Sequence, residues 1–181
     1  DHRLQVVAAL AGDPQLVAFV RSSAKPLQAL PLVEHDLPTE ELAIACASHE
    51  ARPEQLVAVR ALLERAGAAT EDLECGAERG SRLRHSCSGK HAGFLFLCRA
   101  RGWDTEGYRL ADHPLQEELL ALVAETAGRP ATELTTATDG CGVPTFGLTL
   151  ERMAYAFSRL ERLDGGALAV QAIRNYPELI R

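Results

Sequence analysis

Ser22-Ser23-Ala24-Lys25 sets a hydroxyl and an amine three residues apart, so on a helical turn the two share a face and the amine can reach the hydroxyl. A serine hydroxyl is a poor nucleophile at neutral pH until a base takes its proton, and a desolvated lysine of lowered pKa can be that base. A helix start beneath Ser22 would add backbone N–H groups where an oxyanion develops. The same four residues also suit a capping serine followed by a solvated lysine. Composition separates the two. Lysine occurs only at positions 25 and 90, against 17 arginines. Arginine holds its proton at any accessible pH, so a lysine kept in an arginine-rich chain points to a proton that must come off.

The second concentration of reactive side chains is His85-Ser86-Cys87-Ser88-Gly89-Lys90-His91-Ala92-Gly93, joined by Cys141 in a later turn. Cys87 and His91 are spaced to share a helix face, so spacing gives a zinc site from Cys87, His91 and Cys141. A glycine-flanked helix start with a buried thiol would use the same residues. Asp139-Gly140 sets the turn that fixes Cys141, and its carboxylate either meets a ligand or closes an Asx-turn. Ser48 and His49 are adjacent, so their side chains diverge and form no direct dyad. Ser48 is a candidate polar group of the pocket, and His49 and Asp139 are candidate substrate contacts. Cys46 and Cys98 stand among apolar residues and read as core.

These residues need elements to hold them. Two short apolar runs, residues 4–10 and 16–20, are separated by Ala11-Gly12-Asp13-Pro14 and predict a hairpin, which places Ser22 just after a strand. Helices are predicted over residues 26–34, 41–47, 53–66, 90–101, 114–126 and 150–163, with breaks at Gly67, Gly102 and Gly128-Arg129-Pro130. Residues 76–86 are polar and irregular. The formal charge is −6, and no Lys/Arg cluster carries interleaved aromatics, which excludes a nucleic-acid footprint and favours a small-molecule partner. No apolar run approaches the roughly 20 residues that cross a bilayer, and the start, Asp-His-Arg, has no leader pattern, so no membrane partner and a cytoplasmic location are expected. Five cysteines, an odd and sparse set, imply reduced thiols.

Five words of the sequence complete the picture: Arg-Ser-Ser-Ala-Lys-Pro (21–26), Cys-Ala-Ser-His (46–49), Cys-Ser-Gly-Lys-His-Ala-Gly (87–93), Asp-His-Pro-Leu-Gln (112–116) and Asp-Gly-Cys-Gly-Val-Pro (139–144). In that order they resemble the asparaginase II family, the rhizobial-type, zinc-containing class. The resemblance implies an α/β (α+β) chain with a serine β-lactamase-like fold, its sheet flanked by helices. It implies hydrolysis of L-asparagine to L-aspartate and ammonia, a zinc ion close to the active serine, and a homodimer. Carried over residue by residue, the nucleophile falls on Ser22 with Lys25 as tandem partner and Ser48 as second active-site serine. The metal ligands fall on Cys87, Lys90 and Cys141, so the family names Lys90 where spacing names His91. Asp139 is matched to the substrate ammonium on charge grounds.

Residues 1–181 are expected to form one such domain, lacking the N-terminal strand and the C-terminal part of the full family domain. Glu50-Ala51-Arg52 stands where the family has a Ser-Gly-Glu step, which bears on substrate preference. Two other functions fit parts of the pattern. A penicillin-recognising acyl enzyme also opens with S-x-x-K, but its S-D-N and K-T-G partners are missing here. A non-catalytic zinc-binding domain would use the Cys/Lys/His cluster without the serine.

Overall fold

A computed structural model gives the structure of residues 12–180. Along the chain run β1 (Val17–Phe19), α1 (Lys25–Gln28), α2 (Thr39–Cys46), α3 (Pro53–Arg65), α4 (Ser88–Arg101), α5 (Pro114–Thr126), β2 (Thr135–Thr138), β3 (Pro144–Thr149), α6 (Leu150–Ser158), α7 (Gly166–Asn175) and α8 (Pro177–Ile180). Helices and a small antiparallel sheet thus make up a mixed α/β structure. None of the helices among the described residues is long and apolar enough to cross a membrane.

The centre of the helical layer follows from composition. After its first turn α2 reads Leu-Ala-Ile-Ala-Cys, apolar all round, and a helix of that kind is stable only when enclosed. It is buried from Glu41 to Cys46 and packs against α3, α4 and α7. Glu41, the one carboxylate in that stretch, takes both Nε and Nη2 of Arg65 at 2.7 and 2.8 Å, the two-pronged geometry that satisfies a nearly buried carboxylate. The chain leaves α2 directly into Ala47-Ser48-His49, so the most enclosed helix of the molecule presents Ser48.

The sheet places the other two reactive segments side by side. β3 is its middle strand, antiparallel to β1 through Val17↔Thr149 and Phe19↔Gly147 and to β2 through Thr135↔Gly147 and Thr138↔Pro144. The chain leaving β1 runs into Arg21-Ser22, and the chain entering β3 comes from the Cys141 turn. Two bonds lock these ends together, Val20 N–H to Phe146 O at 2.9 Å and Arg21 N–H to Thr145 Oγ1 at 3.0 Å. The second run of the predicted hairpin is β1, with β3 as its observed partner. Its first run, residues 4–10, lies outside the described residues.

Helix bounds depart from expectation where proline or glycine intervenes. The helix predicted over 26–34 divides into α1 and a 3-10 turn at Leu30–His35, since Pro31 has no N–H to give back to the preceding turn. The one predicted over 150–163 ends at Ser158 and passes into a 3-10 turn at Leu160–Arg162. α5 keeps its predicted limits, with Pro114 in the first turn, the His113 ring accepting from Leu115 N–H at 3.1 Å, and Gly128 just beyond its end in the left-handed region.

Gly89 has a structural reason for being glycine. A Cβ there would sit inside the contact radius of the Ile44 carbonyl oxygen, because the first turn of α4 presses onto the backbone of α2. Gly89→Ala is therefore expected to destabilise the fold by about 3 kcal/mol through forced separation of the two helices. Urea denaturation measures it, and a loss under about 0.5 kcal/mol, the range of an indifferent surface change, would show that the helices part freely.

Candidate active site

Lys25 is the hinge of the site. It lies in the first turn of α1 with 1% of its surface exposed, and its aliphatic chain runs inward. Nζ reaches Ala47 O at 2.5 Å, Ser48 Oγ at 2.8 Å and Ser86 O at 3.3 Å. Spacing along the chain puts the amine on the Ser22 side, yet its hydrogen bonds go to Ser48 and to main-chain atoms. The chemistry of those partners matters. A carbonyl only accepts, so the two carbonyls consume two N–H groups, while the hydroxyl can either accept or donate. A neutral amine has two N–H groups and one lone pair, and this shell suits it: Ala47 and Ser86 take the hydrogens and Ser48 O–H turns to the lone pair. Burial lowers the Lys25 pKa below its ordinary 10.5, the adjacent positive charge of Lys90 lowers it further, and Cys87 works the other way.

Ser22 sits in the 3-10 turn Arg21–Ala24, exposed, on the wall of an open cleft of about 740 Å³ that Ser48, Ser86 and His49 also line. Phe157, Ile173 and Ile180 supply its apolar side. Both serine-bearing segments contain a non-glycine residue at positive φ, Arg21 at 48° immediately before Ser22 and Ala51 at 61° soon after Ser48. Such conformations cost of order 1–3 kcal/mol each and persist only where surrounding bonds impose them. At Ala51 those bonds are visible: Ala51 N–H donates to His49 Nδ1 at 3.1 Å, and Gln55 Oε1 accepts from Glu50 and Arg52 N–H at 3.0 Å each.

His49 is buried and has both ring nitrogens occupied. Since Nδ1 accepts from Ala51, Nε2 carries the hydrogen of the neutral ring and donates to Ser88 Oγ at 2.8 Å, and Ser88 in turn donates to Leu83 O at 2.8 Å. Burial pushes its pKa down to about 4, with Lys25 adding to the shift, so the ring is uncharged at neutral pH. It joins the Ser48 loop to the head of α4.

At that head lies the sulfur cluster. Cys87 precedes Ser88, the first residue of α4, and Lys90 Nζ, 4% exposed, lies 3.2 Å from Cys141 Sγ. The Cys141 thiol beside it is the main reason Cys87 falls to about 5; burial opposes the shift, and Lys25 and Lys90 add to it. The same neighbour, Cys87, raises Cys141. A helix N-terminus also favours a thiolate at this point. The charges of Lys25 and Cys87 act on one another, which couples the Lys25–Ser48 contact to the sulfur cluster electrostatically.

His91, the alternative metal donor by spacing, is wholly buried beside Cys141, with Nδ1 at 2.7 Å from Tyr108 Oη and Nε2 without a hydrogen-bond partner. Among the described residues no three His, Cys, Asp or Glu side chains gather around one point. Lys90 is the amine that stands beside the Cys141 sulfur.

Asp139 opens the turn that carries Cys141. Its N–H donates to Val143 O and its O accepts from Gly142 N–H, both at 2.8 Å, with Gly142 at φ 86°. Oδ1 accepts from Gly140 N–H at 2.9 Å and from Arg21 Nε at 2.8 Å. Burial pushes the carboxyl up, but these donors outweigh it and hold it below its ordinary value.

A family model described as L-asparaginase II matches residues 1–181. The chain belongs to the L-asparaginase II family. No curated protein matches it significantly. Family membership suggests an amidohydrolase acting on asparagine, a small-molecule substrate. In this asparaginase II chain the structure joins Lys25 to Ser48 and Lys90 to Cys141, places Cys87 at the head of α4, and sets Ser22 and His49 on the cleft that Ser48 lines. Asp139 stands across the β1–β3 junction, joined to Arg21. Three contributors escaped the sequence reading: the Ser86 carbonyl, Tyr108 and Arg21. The first is a main-chain atom and carries no residue signal. Tyr108 lies in a glycine-rich loop without periodicity. Arg21 was legible only as the leading residue of the Arg-Ser-Ser-Ala-Lys-Pro word.

Proposed function

We propose that this protein hydrolyses L-asparagine to L-aspartate and ammonia through a serine nucleophile served by Lys25. The observation that carries the reading is the buried Lys25 amine, whose two carbonyl partners leave its third position to the hydroxyl of Ser48, in the cleft that Ser22 also lines. Ser22 attacks the side-chain amide carbon and loses its proton through Ser48 to Lys25. The amide nitrogen takes a proton back and leaves as ammonia, and water then resolves the acyl-serine by the same proton path in reverse. His49 shapes the Ser48 side of the substrate site, and Asp139 meets the substrate ammonium.

Zinc belongs to this reading, with Cys87, Lys90 and Cys141 as its ligands. The donor set fits: two soft thiols, one of them already lowered to about 5, and an amine beside the second. The lysine must be neutral to bind, so metal affinity falls on acidification. When bound, the ion supplies a fixed positive charge that orients substrate, while the nucleophile remains the serine. From the resemblance come also the rhizobial-type class, the serine β-lactamase-like arrangement, the homodimer and the cytoplasmic location.

Ammonia release from L-asparagine, measured beside L-glutamine and with zinc content determined on the same sample, tests the proposal. The expected result is release from asparagine, zinc in the wild type, and zinc lost in Cys141→Ser. Zinc without amide turnover would make it a non-catalytic metal domain. Turnover of nitrocefin in place of asparagine would make it a penicillin-recognising enzyme.

A further inference from the structure

The chain between the end of α2 at Cys46 and the start of α3 at Pro53 holds Ser48 without the help of a helix. It turns extended at Ala47 and passes through Ala51 at φ 61°, a left-handed conformation that a non-glycine residue keeps only where surrounding bonds impose it. Lys25 ties the start of this loop to Ser86, and Gln55 Oε1 gathers Glu50 and Arg52 N–H at its end. His49 makes a third tie. Its Nδ1 accepts from Ala51 N–H at 3.1 Å, its Nε2–H donates to Ser88 Oγ at 2.8 Å, and Ser88 O–H ends the relay on Leu83 O at 2.8 Å.

A neutral imidazole offers one donor and one acceptor, and here both are spent on the protein. The ring therefore keeps no polar atom for a substrate, although His49 lines the cleft. Its exposure is only 2%, and Ser88 has none. The relay also runs one way: since Leu83 O only accepts, Ser88 spends its hydrogen there and meets His49 as an acceptor. Each bond thus depends on the next. Without the Ser88 hydroxyl, the Nε2–H of His49 is buried with nothing to donate to, and the loop can give up the left-handed turn at Ala51 and carry Ser48 away from the Lys25 amine.

We propose that His49 and Ser88 are positioning residues that hold the Ser48 hydroxyl on the Lys25 amine, and that His49 makes no polar contact with the substrate. This rests on the amidohydrolase reading, in which the proton passes through Ser48. A displacement of about 1 Å in such a path costs up to about a hundredfold in rate. Binding of the substrate stays as it was.

Steady-state kinetics on Ser88→Ala and His49→Asn test the pair. Both lose the bridge, the second because the asparagine amide can replace Nδ1 but cannot reach Ser88. In each, kcat is expected to fall roughly ten- to hundredfold, with KM for L-asparagine and the calorimetric affinity for L-aspartate within about threefold of wild type. His49→Gln, whose amide nitrogen can stand where Nε2 stands, should recover most of the lost kcat. In a Ser48→Ala background, His49→Asn should cost less than about twofold more, because residues that act through one group are not additive. Thermal melts confirm that each variant is folded. Weaker aspartate binding with kcat retained would make His49 a substrate contact. An undiminished kcat, a His49→Gln no better than His49→Asn, or a full second loss on top of Ser48→Ala would overturn the positioning role. Hydrogen exchange across residues 47–51 separates this from the amidohydrolase reading. Faster exchange in Ser88→Ala, in a protein whose wild type releases no ammonia, sinks that reading and leaves the His49–Ser88 tie standing; ammonia release with exchange and kcat both unchanged does the reverse.

Discussion

Ser22→Ala is expected to cut ammonia release from L-asparagine by at least about 10⁴-fold, the scale on which removal of a covalent nucleophile acts. The fold should be untouched, since the Ser22 side chain is exposed and forms no hydrogen bond within the described residues. Ser48→Ala leaves the nucleophile in place and removes only the hydroxyl that touches Lys25, so a smaller loss of about 10²–10³-fold is expected there, the range of assisted proton transfer. The two serines are thereby ranked by kcat. Hydroxylamine gives an independent check, because an acyl-serine partitions between water and a better nucleophile and yields the β-aspartyl hydroxamate. If Ser48→Ala is the inactive variant while Ser22→Ala retains turnover within tenfold, the nucleophile is the serine at the end of α2, the one already hydrogen-bonded to the amine. Loss of hydroxamate in wild type with ammonia release intact would argue against any acyl-serine.

The ranking shows where sequence and structure divide the work. Residue type and order single out Ser22, Lys25 and Ser48 as candidates, because lysine is rare here, whereas Lys90 enters only with the family words, spacing having named His91 beside Cys87 and Cys141. Which hydroxyl Lys25 meets is not legible there. Spacing along one turn brings the amine towards Ser22, but burial drives its chain inward until it meets Ala47 O and Ser48, contributed by the far end of α2. Such long-range contacts have no period. Helices with strong punctuation, such as α5 between Pro114 and Gly128, were legible almost to the residue. β2 and β3 were not, since Thr-Thr-Ala-Thr on an exposed edge and a middle strand containing Pro144 and Gly147 show no apolar alternation. α7 opens on Gly166 straight after Gly165, and a pair of glycines carries no helix-start signal. The strands turn out to matter for the site, because β3 ties Arg21 to Thr145 and so fixes where Ser22 begins.

Lys25→Met is the sharpest test of the proton path. The thioether chain resembles lysine in length but cannot take a proton, and kcat is expected to fall by about 10³-fold or more. Arginine should not rescue it, being unable to deprotonate. The pH dependence supplies the readout that loss of packing would not. Because burial lowers the Lys25 pKa, the base form accumulates below the ordinary 10.5, so wild-type kcat/KM rises with pH along a limb that is complete before that value, and the methionine variant lacks the limb. The same shift acts on stability. Between the folded and the unfolded pKa the unfolded chain holds one more proton than the native state, so wild-type stability rises with pH through that window and levels off above 10.5. Methionine removes this slope, but it also deprives Ala47 O and Ser86 O of a donor, at about 1–3 kcal/mol for each buried acceptor left unpaired. At neutral pH the variant should thus be folded but weaker in urea, with turnover nearly gone. Activity within tenfold of wild type would remove Lys25 from the proton path. A flat wild-type profile together with an inactive variant would reduce the lysine to a strut that positions Ser48.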